Sequence, residues 1–237
     1  MIAKGKKFRY IFNQLIKGQK DLGLKYLLLI WCIFSGYFVN FIKSNKFYFN
    51  KKVYKYFYGS YNHTWVNERA IEIPLVNQEI VTHLKNKKSI LEIGNVMNYY
   101  HPFKHEVIDK YEKGKGIINQ DALDFKLQKK YDLIISISTM EHVGWDEKIK
   151  DETKIIRAVE NLKKHLNKEG QIIMTVPLGY NPFLDKIIEK KQLTSEAYFF
   201  KRGLFGRWKQ ISWEKAKHTQ YIEEISAKVL VLMVIKN

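Results

Sequence analysis

The sequence predicts an α/β fold: a doubly wound sheet with helices on both faces over residues 59–237, preceded by a helical, basic and apolar extension over residues 1–58. Two observations predict the sheet and a third the extension. Short runs rich in Ile, Leu and Val recur at Ser89–Gly94, Glu106–Asp109, Gly116–Asn119, Tyr131–Ser138, Gln171–Val176, Ala197–Phe200 and Lys228–Ile235. Continuous apolar runs of this kind suit strands buried on both faces. Between two of them, Asp151–Leu166 sets Ile155, Ile156, Val159, Leu162 and Leu166 on one helical face, with Gly170 just beyond. Strand, helix and strand in that order form a crossover unit. A further helix is expected from Ala70 to Lys85, broken early by Pro74.

The third observation is the placement of charge. The 237 residues carry a net +17, and the first 58 hold twelve Lys/Arg against one acid, Asp21. The other 179 residues hold 29 basic and 23 acidic groups, the balance of an ordinary globular domain, so a boundary is expected near Tyr58-Gly59-Ser60. A composition 46% hydrophobic is ample for a core and excludes a disordered tail. The single cysteine, Cys32, excludes an internal disulfide, and no Cys/His spacing of the zinc type occurs.

Within the extension, Phe8, Ile11, Phe12, Leu15 and Ile16 form one helical stripe, and Lys4, Lys7, Lys17 and Lys20 lie on the other faces. Residues 26–42 then run without a charge between Lys25 and Lys43. Seventeen residues sit at the lower edge of the ~17–25 that span a bilayer. Basic flanks on both sides and the aromatics Trp31, Phe34, Tyr37, Phe38 and Phe41 favour a segment lying in the interface over a span or a core helix. The expected partner of residues 1–58 is therefore an anionic membrane surface. The protein is then cytoplasmic, peripheral or monotopic on the inner face of the plasma membrane. Lys and aromatic residues interleave over 45–58, a pattern that suits either nucleic-acid stacking or a strand with a solvated Lys edge. No RNA- or DNA-binding module accompanies it, so nucleic acid is not the expected partner.

In open α/β sheets ligands bind beyond the carboxyl ends of the strands. Those ends here are Leu91-Glu-Ile-Gly-Asn-Val96, Asp109, Asn119-Gln-Asp-Ala122 and Ser138-Thr-Met-Glu-His-Val143. A glycine after one strand and an acid ending the next, in this order, resemble the class I S-adenosylmethionine-dependent methyltransferases, whose sheet is Rossmann-like. Residues 131–143 and 161–177 carry the most specific likeness; the resemblance covers roughly residues 60–237. It implies S-adenosyl-L-methionine as cofactor, with Glu92 and Gly94 by its methionine end and Asn95 also in contact. Asp109 would take its ribose hydroxyls, Asp121 and Ala122 would lie beside its adenine, and Ser138 would also be in contact. The sequence departs from the family at two points. Only one of three alternate glycines is kept in the first motif, and 14 residues between Gly94 and Asp109, interrupted by Pro102, leave little room for a full helix. The segments 61–74 and 95–102 resemble a subgroup of bacterial methyltransferases associated with surface-glycan gene neighbourhoods.

Methyl transfer to a hydroxyl needs a positioned acceptor and a base. His142 is the candidate base and Glu141 its orienting partner or substitute; packing of the loop after the strand is the alternative for both. Ser138 stands where a related metal-binding pattern has its first Glu, so no metal is expected. Asn62, Trp65, Asn67 and Arg69 form a candidate acceptor group suited to a sugar, with an N-cap cluster as the alternative. His101 and His105 are read as structural. The expected function is O-methylation of a glycan or lipid-linked sugar. The alternatives are a catalytically degenerate binding or scaffold protein and an RNA methyltransferase.

Overall fold

The structure is a computed structural model that describes residues 45–194, 196–203, 206–221 and 226–236. The amphipathic stripe over residues 8–16 and the uncharged run 26–42 lie outside the described residues. Among the described residues no helix is long and apolar enough to cross a membrane.

A hairpin, β1 (Lys46–Phe49) and β2 (Lys52–Lys55), leads through a short 3-10 segment (Tyr61–Val66) into α1 (Arg69–Lys85). Then follow β3 (Ile90–Ile93), β4 (Glu106–Ile108), β5 (Ile117–Ile118), β6 (Tyr131–Ile137), α2 (Lys154–Lys164), β7 (Leu166–Pro177) and α3 (Pro182–Glu189). The chain closes with β8 (Ala197–Arg202), β9 (Trp208–Ile211), the single turn α4 (Trp213–Ala216) and β10 (Val229–Lys236). Among the described residues, eight strands form one sheet in the order β5-β4-β3-β6-β7-β10-β8-β9. β5, β4, β3, β6 and β7 are parallel, while β10 runs antiparallel to both β7 and β8. The order reverses between β3 and β6, a Rossmann-like switch point that opens a crevice at the carboxyl ends of these strands.

The two-residue period of the strands divides the core. Leu133, Ile135, Ile137, Leu230 and Leu232 pack with α1 and with Phe47, Phe49 and Tyr56 of the hairpin on one face. Ile134, Val231, Met233 and Ile235 pack with Ile155, Val159 and Leu162 of α2 and Leu184 and Ile188 of α3 on the other.

Several elements differ from the sequence reading. Pro74 does not break α1. It removes the N–H that would reach the Ala70 carbonyl, and that carbonyl instead accepts from Phe57 N at 2.9 Å. The helix expected to Leu166 stops at Lys164, and Leu166 already pairs with Tyr131 as strand. A strand pair that the sequence reading did not include, β8 with β9, closes one side of the sheet. Lys201 pairs with Lys209 and Arg202 with Trp208, which makes β9 an edge strand. In keeping with the short spacing between Gly94 and Asp109, no helix follows β3; a 3-10 turn, Met97–Tyr99, takes its place.

Candidate active site

A cavity of about 450 Å³ lies at the carboxyl ends of β3 to β6, within the ~300–1,000 Å³ usual for small-molecule sites. Its walls are largely apolar, with Ile93, Ile108, Ala122, Met140 and Val143; Asp109, Asp121, His142 and Asp146 supply polar groups.

The loop after β3 shapes one wall. Glu92 is fully buried and accepts from Val96 N (2.9 Å) and Met97 N (2.8 Å) through one oxygen. Its other oxygen lies 2.6 Å from His105 Nε2. This carboxylate therefore ties the shortened loop together and is absent from the cavity lining, and His105 is part of the same tie. Gly94 does line the cavity, at φ +83, and a Cβ there would collide with the Thr139 side chain. Both facts require glycine. Asn95 is buried beside the cavity; its side chain donates to Glu112 Oε1 (2.8 Å) and accepts from Asn98 (2.6 Å).

Asp109 is held by the chain around it. Its carboxylate accepts from Asn95 N (3.1 Å), Tyr111 N (2.8 Å) and Glu112 N (2.7 Å). A carboxylate offers about four acceptor positions, so one remains for a ligand hydroxyl. Asp121 accepts from Leu123 N and pairs with Lys110 at 2.7 Å and Lys154 at 3.6 Å. Burial opposes its charge, yet Lys110, the Leu123 N–H and Lys154 outweigh burial and hold the carboxyl below its ordinary value. Ala122 is buried in the lining, and its carbonyl accepts from Asn161.

The 3-10 turn Met140–His142 after β6 faces two ways. His142 lines the cavity with its side chain 47% exposed. Its Nδ1 lies 2.6 Å from Asp146 Oδ2, and its Nε2 lies 3.7 Å from Glu141 Oε1. An ionised Asp146 only accepts, so Nδ1 carries a proton toward it; in the neutral ring the lone pair is then on Nε2. Tyr180 donates to the same Asp146 oxygen at 2.7 Å and packs edge-on against the imidazole.

Glu141, one residue away, is 2% exposed and does not line the cavity. One of its oxygens is buried without a hydrogen-bond partner. Burial pushes its pKa well above the carboxylate range, and Glu72 and Glu68 push the same way against its backbone N–H and Arg69. Ser138, at φ +38, donates to Glu72 Oε1 at 2.6 Å. Glu72 pairs in turn with Arg69. Of the proposed acceptor group, Arg69 belongs to this buried cluster. Asn67 accepts from Arg69 N at 3.0 Å and donates to Asn62 O at 2.8 Å, the cap arrangement. Trp65 stacks edge-on against His63. None of Asn62, Trp65, Asn67 or Arg69 lines the cavity.

The structure therefore gathers Gly94, Asp109, Asp121, Ala122 and His142 around one cavity. It sends Ser138, Glu141 and Arg69 into a buried cluster behind it, and uses Glu92 and Asn95 to brace the loop. Sequence reading missed Lys110, Asp146 and Tyr180. The spacing of four between His142 and Asp146 was a readable signal; Tyr180 arrives only by tertiary packing, at the end of β7. Among the described residues no three His, Cys, Asp or Glu side chains are placed to hold a metal ion.

No protein-family model matches the sequence, and no curated protein does. Among solved structures, the chain is similar to the N-methyltransferase NodS from Bradyrhizobium japonicum, solved with S-adenosyl-L-homocysteine: 15% identity, TM-score 0.43, over 70% of this chain and 88% of that one. An S-adenosylmethionine-dependent methyltransferase from Clostridium acetobutylicum gives 12% identity and a TM-score of 0.37 over 68% and 89% of the two chains. The sugar N-methyltransferase KedS8 from Streptoalloteichus gives 16% and 0.31 over 40% and 44%.

Proposed function

We propose that the chain is an S-adenosyl-L-methionine-dependent methyltransferase acting on a hydroxyl of a glycan or lipid-linked sugar at the cytosolic membrane face. The observation that carries the reading is the pair of carboxylates Asp109 and Asp121, just beyond adjacent strands and lining one largely apolar cavity that His142 also lines. This donor set fits a nucleoside cofactor. The apolar walls suit a base ring, Asp109 keeps acceptor capacity for a ribose hydroxyl, and Asp121 can accept from an exocyclic amine. Gly94 keeps side-chain bulk out of the wall between them. When bound, the cofactor supplies a methyl group on a sulfonium leaving group.

The protein's part is to hold and to deprotonate. Asp146 keeps the His142 Nδ1 proton in place, which leaves Nε2 to take the proton of an acceptor hydroxyl as its oxygen becomes the nucleophile. Tyr180 fixes the ring from its side. Residues 1–58 hold the enzyme at an anionic membrane, where a lipid-linked acceptor resides, and the enzyme is peripheral or monotopic. The test is transfer of a labelled methyl group to polyprenol-linked sugars or glycan extracts. Wild-type protein labels them and His142→Ala does not; absence of label on any hydroxyl-bearing acceptor overturns the reading.

A further inference from the structure

We infer that the outer face of the β1–β2 hairpin is itself a docking face for anionic phospholipid. This inference rests on the membrane association proposed above and assigns its folded contact surface. The register places Lys46 directly opposite Lys55 and Tyr48 directly opposite Val53. Phe47 and Phe49 point the other way and are buried, while Tyr48 is 70% and Val53 55% exposed. The outer face is thus two lysines side by side next to an aromatic-aliphatic pair, with Lys51 and Lys52 exposed at the turn.

Three observations select phospholipid as the occupant. Like charges directly opposite each other weaken a strand pair, and among the described residues no acid forms an ion pair with Lys46 or Lys55. Residues 45–58 contain no Asp or Glu. The hairpin is nevertheless held firmly from below. Phe49 packs edge-on against Tyr198 and Phe200 at 4.8 and 5.3 Å, and Tyr56 OH accepts from Trp208 N at 2.9 Å. An uncompensated cationic face on a fixed support fits an external anion layer.

The second observation is chain length. The uncharged run ends at Ile42, four residues before Lys46, and four residues span at most ~14 Å. If residues 26–42 lie in a membrane interface, the hairpin lysines sit close to one Debye length, ~10 Å at 0.1 M salt, from the headgroups. Third, the interleaved aromatics needed for base stacking are spent elsewhere. Phe47, Phe49 and Tyr56 are buried in the core, so only Tyr48 offers a ring outward from the paired strands.

The experiment is flotation of the full chain with vesicles of mixed phosphatidylglycerol and phosphatidylcholine, and of phosphatidylcholine alone. Lys46→Gln with Lys55→Gln should weaken partitioning to the anionic vesicles roughly 10- to 30-fold. S-adenosyl-L-homocysteine binding should stay unchanged and thermal stability unchanged or raised, because the repulsion is gone. Lys46→Arg with Lys55→Arg keeps the charge and should keep the binding. Full partitioning by the glutamine pair overturns the inference and leaves the membrane reading intact. Failure of the wild type to partition overturns both. Aggregation of the glutamine pair with unchanged partitioning makes the lysines guards of an exposed strand edge. RNA binding that depends on these lysines, without vesicle binding, also overturns the inference.

Discussion

Glu141 and His142 are consecutive residues on one turn and meet opposite environments. His142 faces a cavity open to solvent and rests on a charged partner, Asp146. Glu141 is buried, within electrostatic reach of Glu68, Glu72 and Arg69, with an unpaired oxygen and a carboxyl driven toward its protonated form. In the function proposed above, the accessible imidazole takes the acceptor's proton, and the buried acid takes no part. A sequence motif that reads as one catalytic pair is, in three dimensions, one half-exposed imidazole lining the cavity and one buried carboxyl outside its lining.

The comparison breaks most visibly through substitution. His142→Ala should lower kcat by ~10²–10⁴ with little change in Tm, whereas Glu141→Gln should leave kcat within about fivefold. Equal losses in steady-state assays would return Glu141 to the chemistry. Asp146→Asn should cost less than removal of the imidazole, about 10- to 100-fold in kcat. Its pH–rate profile should also shift, because the amide no longer enforces the Nδ1 tautomer; an unshifted profile would make Asp146 a bystander.

Stability separates the same two regions. Gly94→Ala, strained at positive φ and pressed against Thr139, should cost ~1–3 kcal/mol in denaturant unfolding. A raised carboxyl pKa means the folded state holds a proton that the unfolded chain has released, so stability falls as pH rises above the unfolded value of ~4.3. Glu141→Gln should abolish that fall, and its advantage over wild type should widen with pH. Asp185 gives a smaller case. Burial raises its pKa to about 6 against the Gly179 N–H, so Asp185→Asn should gain stability between about pH 4 and 6 and hold a constant advantage above. Parallel pH curves for variant and wild type would contradict these assignments.

The parallel strands were legible because β3 and β6 are apolar almost throughout, a pattern that only two-sided burial explains. The edge hairpins were harder to read. Lys46, Lys55, Lys201 and Lys209 face outward, and their charge masks the alternation with Phe47, Phe49 and Phe200 beneath. The run through Pro74 was read as a break because rescue of the Ala70 carbonyl comes from Phe57, thirteen positions away and visible only after folding. At the site, strand ends located Gly94, Asp109, Asp121 and His142. The direction of a side chain leaving a tight turn was not legible: Glu92 and Ser138, assigned to the cofactor, bond within the scaffold, and Glu141, assigned beside His142 as its partner or substitute, is buried outside the cavity lining. Lys110 was missed because its role depends on Asp121 across the cavity mouth.

Calorimetric titration of the full chain with S-adenosyl-L-homocysteine tests the central claim most directly. The account predicts saturable one-site binding that Asp109→Ala weakens by ~1–3 kcal/mol, while Glu141→Gln binds as wild type. Absence of binding at millimolar ligand, or equal affinity in the Asp109 variant, would contradict the placement of a nucleoside cofactor at the ends of β3 to β6.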